Sequence, residues 1–265
     1  MYVKMKQYIA DAFADVLFTG NPAAVVPCMK MPAPELMQKI AIENNYSETA
    51  FVVKKSRGQY DLKWFTPGGE IDLCGHATLA AAFVLHEFED KGVSEMHFHT
   101  LSGELTVTAE GGSYTMDFPA GKSKPVPVTD AVMAATNGLA REAYYDGGDM
   151  VVIVDSETEL KDFIPDADLI RELDGLGLIM TARSEHCDFV SRCFYPKLNI
   201  TEDPVTGRAH TYTAPIWTER IGKDVLSARQ LSQRGGAMTV QCRGSRVYLT
   251  GKVQLFMAGE LSAEL

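Results

Sequence analysis

Three side chains with acid/base capacity stand beside apolar segments of this chain: Glu48, His76 and Asp203. Glu48 closes the polar stretch Asn45-Tyr46-Ser47-Glu48, and the run Thr49-Ala50-Phe51-Val52-Val53 follows at once. A carboxyl at the mouth of a buried strand can have a raised pKa, which suits a general acid/base. The plainer reading is a strand-end charge in water. His76 follows Gly75 at the start of an apolar run, where the positive end of a helix dipole favours the neutral imidazole. The plainer reading is a capping or core histidine. Asp203 lies in Thr201-Glu202-Asp203-Pro204-Val205-Thr206-Gly207, where it either caps its own turn or faces the other two groups across a cleft.

A repeat ties these positions together. Phe65-Thr66-Pro67, Ile71 and Gly75-His76-Ala77-Thr78 rhyme with Phe194-Tyr195-Pro196, Ile200 and Gly207-Arg208-Ala209-His210. In each copy a strand-like run ends in Phe-x-Pro, and a glycine later opens a stretch able to form a helix. A unit repeated once implies two similar halves facing a shared cleft. Two helix N-termini, at Gly75 and at Thr206-Gly207, would then offer free backbone N–H groups to a substrate carboxylate. Acid/base groups on either side could move a proton between carbons with no metal or organic cofactor. Neither a dinucleotide fingerprint nor a phosphate loop competes with this reading.

The elements that must position these groups are legible in outline. Strands are expected at Tyr8–Ala14 and Ala23–Val26 around an Asn21-Pro22 turn, then at Thr49–Val53 and Tyr60–Phe65. Pro34–Ile42 reads as a helix. His76–Phe88 is apolar almost all round, so it must be buried on every side, as by a sheet wrapped around it. Alternating strands follow at Glu95–Thr100, Glu104–Ala109 and Ser113–Phe118. The segment Pro119 to Pro127 has the composition of an inter-domain crossing, giving domains 1–118 and 119–265, with the last residues able to pack on the first domain. In the second half, helices are expected at Asp130–Gly138 and Asp166–Glu172. Strands are expected at Met150–Asp155, Gly177–Thr181, Asp188–Phe194, Ala237–Cys242, Arg246–Thr250 and Val253–Ala258. Pro215 should kink or break the helix that follows Gly207.

Bulk properties narrow the partners. The 265 residues carry 25 basic and 35 acidic side chains, net charge −10, with no Lys/Arg block. Nucleic acid and membrane are therefore not expected as partners, and a small molecule is. No apolar run is long enough to span a bilayer, and the first residues lack a signal-peptide core. The five cysteines, Cys28, Cys74, Cys187, Cys193 and Cys242, show no disulfide or zinc spacing, which points to the reducing cytoplasm.

Taken together, Asp11-Ala12-Phe13, Gly20-Asn21-Pro22-Ala23, Ser47-Glu48-Thr49-Ala50-Phe51, Asp72 to Thr78, Glu202 to Gly207 and Gln233-Arg234-Gly235-Gly236 resemble the phenazine-biosynthesis PhzF-like isomerases. The resemblance spans most of the chain in order. It implies a diaminopimelate-epimerase-like α+β fold of two pseudo-symmetric domains, each a curved, mostly antiparallel sheet around a central apolar helix. It also implies a cofactor-free isomerase, usually a homodimer, with the family's Glu, His and Asp falling on Glu48, His76 and Asp203. The family usually has Ser after Asp-Pro-Val-Thr-Gly, contacting the substrate carboxylate. Arg208 stands there instead, and either binds a more anionic substrate, fills the pocket or turns outward to an acid. Cys74-Gly75 resembles a base site of two-thiol racemases, but Pro204-Val205-Thr206-Gly207 has no matching thiol, so Cys74 is read as a packed residue. Two alternatives to the isomerase remain: an epimerase with mixed bases, and a non-catalytic small-molecule-binding protein.

Overall fold

A computed structural model of the chain describes residues 2–264. In chain order its elements are β1 (Tyr2–Ala12), β2 (Asn21–Cys28), α1 (Pro34–Asn44), β3 (Thr49–Ser56), β4 (Gln59–Thr66), β5 (Gly69–Ile71), α2 (Gly75–Val84), β6 (Glu95–Thr100), β7 (Gly103–Glu110) and β8 (Ser113–Pro119). Then come β9 (Lys124–Val126), α3 (Asp130–Ala135), β10 (Glu142–Tyr145), β11 (Met150–Ile153), α4 (Glu157–Asp162), α5 (Ala167–Arg171), β12 (Leu178–Arg183) and β13 (Phe189–Phe194). The chain closes with α6 (Gly207–Ile221), β14 (Val225–Gln230), β15 (Gly236–Arg243), β16 (Arg246–Gly251) and β17 (Val253–Glu264). They form two compact units, Met1–Asp117 with Thr250–Leu265, and Phe118–Leu249.

In the first unit β17 pairs antiparallel with β1, and β1 with β2. The sheet continues through parallel β2–β3, antiparallel β3–β4 and parallel β4–β6, then antiparallel β6–β7 and β7–β8. Period-two alternation turns Tyr60, Leu62, Trp64, Met96, Phe98, Tyr114 and Met116 into the core. α2 packs against β1, β2, β3, β7 and β17, and eight of its residues, from His76 to Val84, are buried. Four alanines in that helix let strands approach from several sides, so the expected central apolar helix is present. α1 lies on the sheet through Met37, Ile40 and Ala41, against Val26, Phe51 and Phe65.

Two local expectations are corrected here. Asn21 and Pro22 begin β2 rather than forming a turn, pairing with Ala12 and Asp11. The reversal lies between β1 and β2 and ends at Gly20 (φ +75°), where a Cβ would stand 2.3 Å from the Ala12 carbonyl oxygen. The helix expected to reach Phe88 ends at Val84. It continues as a wider turn, in which the Asp90 N–H donates to the Leu85 carbonyl at 2.7 Å.

The second unit runs β9–β10–β11 antiparallel, β11–β12 parallel, β12–β13 antiparallel, β13–β14 parallel and β14–β15 antiparallel. α6 packs on β14 and β15. It also reaches β12, where the Trp217 indole N–H donates to Thr181 Oγ1 at 2.9 Å, and β13, where Trp217 stacks on Phe189. The short helices α3, α4 and α5 cover a separate apolar cluster that includes Leu160, Phe163, Ile170 and Phe194.

Pro215 does not break α6, which runs from Gly207 to Ile221. Proline at this position leaves the carbonyl four residues earlier, that of Thr211, without a helical donor. The Gly121 N–H supplies one at 3.0 Å. That approach requires a glycine, because a Cβ on residue 121 would fall 2.3 Å from Tyr212 Cδ1. Gly121→Ala is therefore expected to destabilise the fold by about 1–3 kcal/mol through overpacking and loss of this bond. Urea denaturation checks it, and an unchanged midpoint would show that the segment relaxes freely.

Candidate active site

Both copies of the sequence repeat have local counterparts in the fold. In the first unit Ile71 turns back to pair with Trp64 at the end of β4, and α2 starts at Gly75. In the second, Ile200 bridges to Tyr195 just after β13, and α6 starts at Gly207. The two glycines thus open α2 and α6, each with eight buried residues.

At the α2 terminus, Glu48 sits immediately before β3, Cys74 is the residue before the helix, and His76 is in its first turn. All three side chains are largely buried. His76 Nε2 lies 3.0 Å from Glu48 Oε2 and 3.4 Å from Ser47 Oγ, while Nδ1 lies 3.5 Å from Cys74 Sγ. The ion pair is close, yet Glu48 Oε2 receives no aligned hydrogen bond. Burial alone would push the Glu48 carboxyl up, but the charge and bonding of His76, with Ser47 and Cys74, bring it below its ordinary value. Burial would push His76 down, but Cys74 and Glu48 outweigh it and raise the imidazole well above its ordinary value. The expectations of a raised Glu48 and a neutral His76 are therefore overturned together: each group fixes the charge of the other. Burial and the Glu48 charge raise the Cys74 thiol, which stays protonated.

This pairing makes stability depend on pH. A carboxyl with a lowered pKa contributes above its unfolded value, near 4.5, and loses that contribution as pH falls through the folded value. A histidine with a raised pKa contributes below its unfolded value, near 6.5, and loses that as pH rises through the folded one. The difference in thermal midpoint between the wild type and Glu48→Gln is expected to be largest between those limits and to shrink on both sides. A difference that stays flat from acid to alkaline pH would mean that the two groups are not ionised together.

At the α6 terminus, Thr206 precedes the helix and its hydroxyl donates to the Asp203 carboxylate. Gln230 on β14 clamps the turn: its Oε1 accepts the Thr206 N–H at 2.8 Å, and its Nε2 donates to the Asp203 carbonyl at 2.6 Å. The Asp203 N–H donates to the Cys193 carbonyl at 2.9 Å. Beside it, Arg192 forms a two-pronged pair with Glu202 (2.7 and 2.9 Å) and donates from Nη1 to the carbonyls of Leu160 and Phe163. His210 is a satisfied core histidine. Burial pushes it down to about 4, its Nδ1 lies 2.8 Å from the Thr206 carbonyl and its Nε2 3.3 Å from Ser191 Oγ.

Arg208, half exposed in the first turn of α6, is held by an acid. Its Nε lies 3.3 Å from Asp149 Oδ2, Nη2 donates to the Tyr212 hydroxyl at 3.3 Å, and the guanidinium stands 5.8 Å from the Tyr212 ring centre. Asp149 is fully buried, and burial raises its carboxyl despite the Arg208 charge.

Sequence reasoning missed Arg192, Gln230 and Asp149. Arg192 left a signal, since it is the charged member of a strand buried at all six positions. The closeness of Cys74, His76 and Glu48 also went unseen: a sulfur, a nitrogen and an oxygen of these residues lie within 4.8 Å of one another, a set able to ligate a cation.

The fold is shared with an epimerase, and the sequence relatives are named isomerases. A hydroxyproline epimerase of Agrobacterium vitis, solved with trans-4-hydroxy-L-proline, shares the fold at 10% identity and a TM-score of 0.63, covering 98% of this chain and 92% of that one. Residues 10–259 match the sequence profile of the phenazine biosynthesis-like (PhzC–PhzF) proteins, and the chain belongs to that family. An uncharacterised isomerase of Pseudomonas aeruginosa is 47% identical over 251 residues, 95% of this chain and 96% of its own. The crystal structure of a PhzF-family protein of Enterococcus faecalis superposes with a TM-score of 0.95 at 44% identity, covering 99% of this chain and all of that one. Among the described residues no helix is long and apolar enough to cross a membrane.

Proposed function

We propose that this isomerase moves a proton between carbons of a small carboxylate-bearing substrate without a cofactor, with Glu48 as the acid/base and His76 and Asp203 assisting. The observation that carries the reading is the buried Glu48–His76 ion pair, whose Oε2 has an unused lone pair. The His76 charge keeps Glu48 ionised at neutral pH, so it can act first as base. Oε2 takes a proton as the carbon–hydrogen bond breaks, the electron pair delocalises into the substrate, and the new O–H returns the proton at another carbon. The imidazolium beside it stabilises the negative charge that develops. The N–H groups at Gly75, and those at Gly207 next to Thr206, are suited to the substrate carboxylate.

The mixed-base epimerase reading loses support at Cys74, because a thiol held protonated is a poor base. The homodimer and cytoplasmic location belong to the same proposal, and light scattering tests the former. The deciding experiment is solvent-deuterium incorporation into a panel of cyclic and amino carboxylates. Incorporation at a carbon that depends on Glu48 supports the reading. Ligands that bind without exchanging would shift it to a binding protein.

Arg208 sets a second expectation. With Nε and Nη2 committed to Asp149 and Tyr212, it presents Nη1 as a fixed cation. Arg208→Ser is expected to move preference in the same panel from dianionic toward monoanionic carboxylates. An unchanged range would place Arg208 outside the pocket.

A further inference from the structure

We propose that Glu48, Cys74 and His76 also form a binding site for a thiophilic divalent cation of the zinc class. The proposal adds to the acid/base reading, and rests on it only in expecting the bound ion to inhibit.

The three donors come from the residue before β3, the residue before α2 and the first turn of α2. All lie within 4.8 Å of one another. Donors at about 2.0–2.3 Å from a tetrahedral zinc ion stand roughly 3.3–3.8 Å apart. The 3.5 Å between His76 Nδ1 and Cys74 Sγ already matches that separation. Glu48 Oε2 now lies 3.0 Å from the other ring nitrogen, Nε2, and must swing toward the Nδ1 edge of the ring to become the third ligand. That oxygen is a second, independent indication, because it is buried with no aligned hydrogen bond. A metal ion would replace the imidazolium 3.0 Å away as its counter-charge and add the directed bond that this pair lacks. A mixed sulfur, nitrogen and oxygen set selects zinc, cadmium or cobalt over magnesium and calcium, which favour oxygen alone. Three protein ligands leave a fourth position for water or an anion.

The proton balance is simple. The thiol gives up its S–H proton and the imidazolium the proton on the ligating nitrogen, both to solvent, while the carboxylate releases none. No electron transfer is involved. The bound ion occupies the Glu48 oxygen that would accept the substrate proton, so metal and proton transfer exclude each other.

Cobalt(II) is the probe, added to chelator-treated full-length protein. One equivalent is expected to produce a sulfur-to-cobalt charge-transfer band in the near ultraviolet, which zinc abolishes by displacement. Cys74→Ser should remove the band, whereas Cys28→Ser, Cys187→Ser and Cys242→Ser should keep it. Glu48→Gln should weaken zinc affinity at least ~10-fold in calorimetry, since one of three protein ligands is lost. Circular dichroism confirms that each variant is folded, and the Glu48 variant keeps the test valid if Cys74→Ser is not. A band that survives Cys74→Ser, no band at one equivalent, or zinc affinity unchanged in Glu48→Gln overturns the site. Deuterium exchange by the chelator-treated protein separates the two proposals: a cobalt band without exchange rejects the acid/base reading and leaves the metal site standing.

Discussion

Glu48→Gln is expected to lower Glu48-dependent proton exchange by about 10³-fold or more, the middle to upper part of the range for removing a positioned acid/base. The amide keeps the shape of the carboxyl but cannot take a proton at neutral pH. It also removes the anion 3.0 Å from His76 Nε2, so the imidazole loses a main cause of its raised pKa and can shed its proton. That release limits the damage to the fold, because a neutral histidine is cheaper to bury than an unpaired imidazolium. The variant should thus remain folded, with a histidine titrating at lower pH by NMR. Full exchange in a folded variant would remove Glu48 from the mechanism. A His76 resonance that still titrates high would mean that Glu48 does not set its charge.

Arg192→Met is expected to cost about 3 kcal/mol of stability, the lower end of the range for breaking a buried ion pair. Arg192 is buried within β13, and its guanidinium satisfies both Glu202 oxygens and the carbonyls that end α4. Methionine fills similar volume but leaves Glu202 and those carbonyls without a donor. Glu202 adjoins Asp203, so the turn that presents Asp203 should loosen as well. Urea denaturation reads the first effect. A loss of less than about 1 kcal/mol would mean the pair contributes no more than one at the surface.

What the sequence made legible was mostly what depends on neighbours along the chain. An apolar stretch with no polar side must be enclosed, and α2 is. The Gly75 and Gly207 starts could be read because in each repeat a glycine opens the helix-forming stretch, four steps after Ile71 and seven after Ile200. The charge states of Glu48 and His76 could not, because each depends on a partner 28 positions away in sequence. The same blindness applied to Pro215, whose freed carbonyl is satisfied by a loop residue some ninety positions earlier. β14 was missed although it alternates, because its buried residues include the small Ala228 and the polar Gln230. β10 was missed because only Ala143 of its four residues is buried, which leaves neither an alternation nor an apolar run to read. Gln230 is buried because its amide holds the Thr206 turn, so one residue both hid a strand and built the site.

The pairing of the first and last strands bears on the order of synthesis. Lys4 to Ala12 of β1 align with Ser262 to Val253 of β17, so the sheet of the first unit lacks its outer strand until the end of the chain is made. The second unit is continuous, from Phe118 to Leu249. On a ribosome the later-coded unit therefore has all its residues before the earlier-coded one does. The nascent first unit carries β1 with one edge bare through that interval, open to strand capture by a neighbouring chain. Release between residues 249 and 253 would leave that edge exposed for good, giving a fragment with a complete second unit and an aggregation-prone first one.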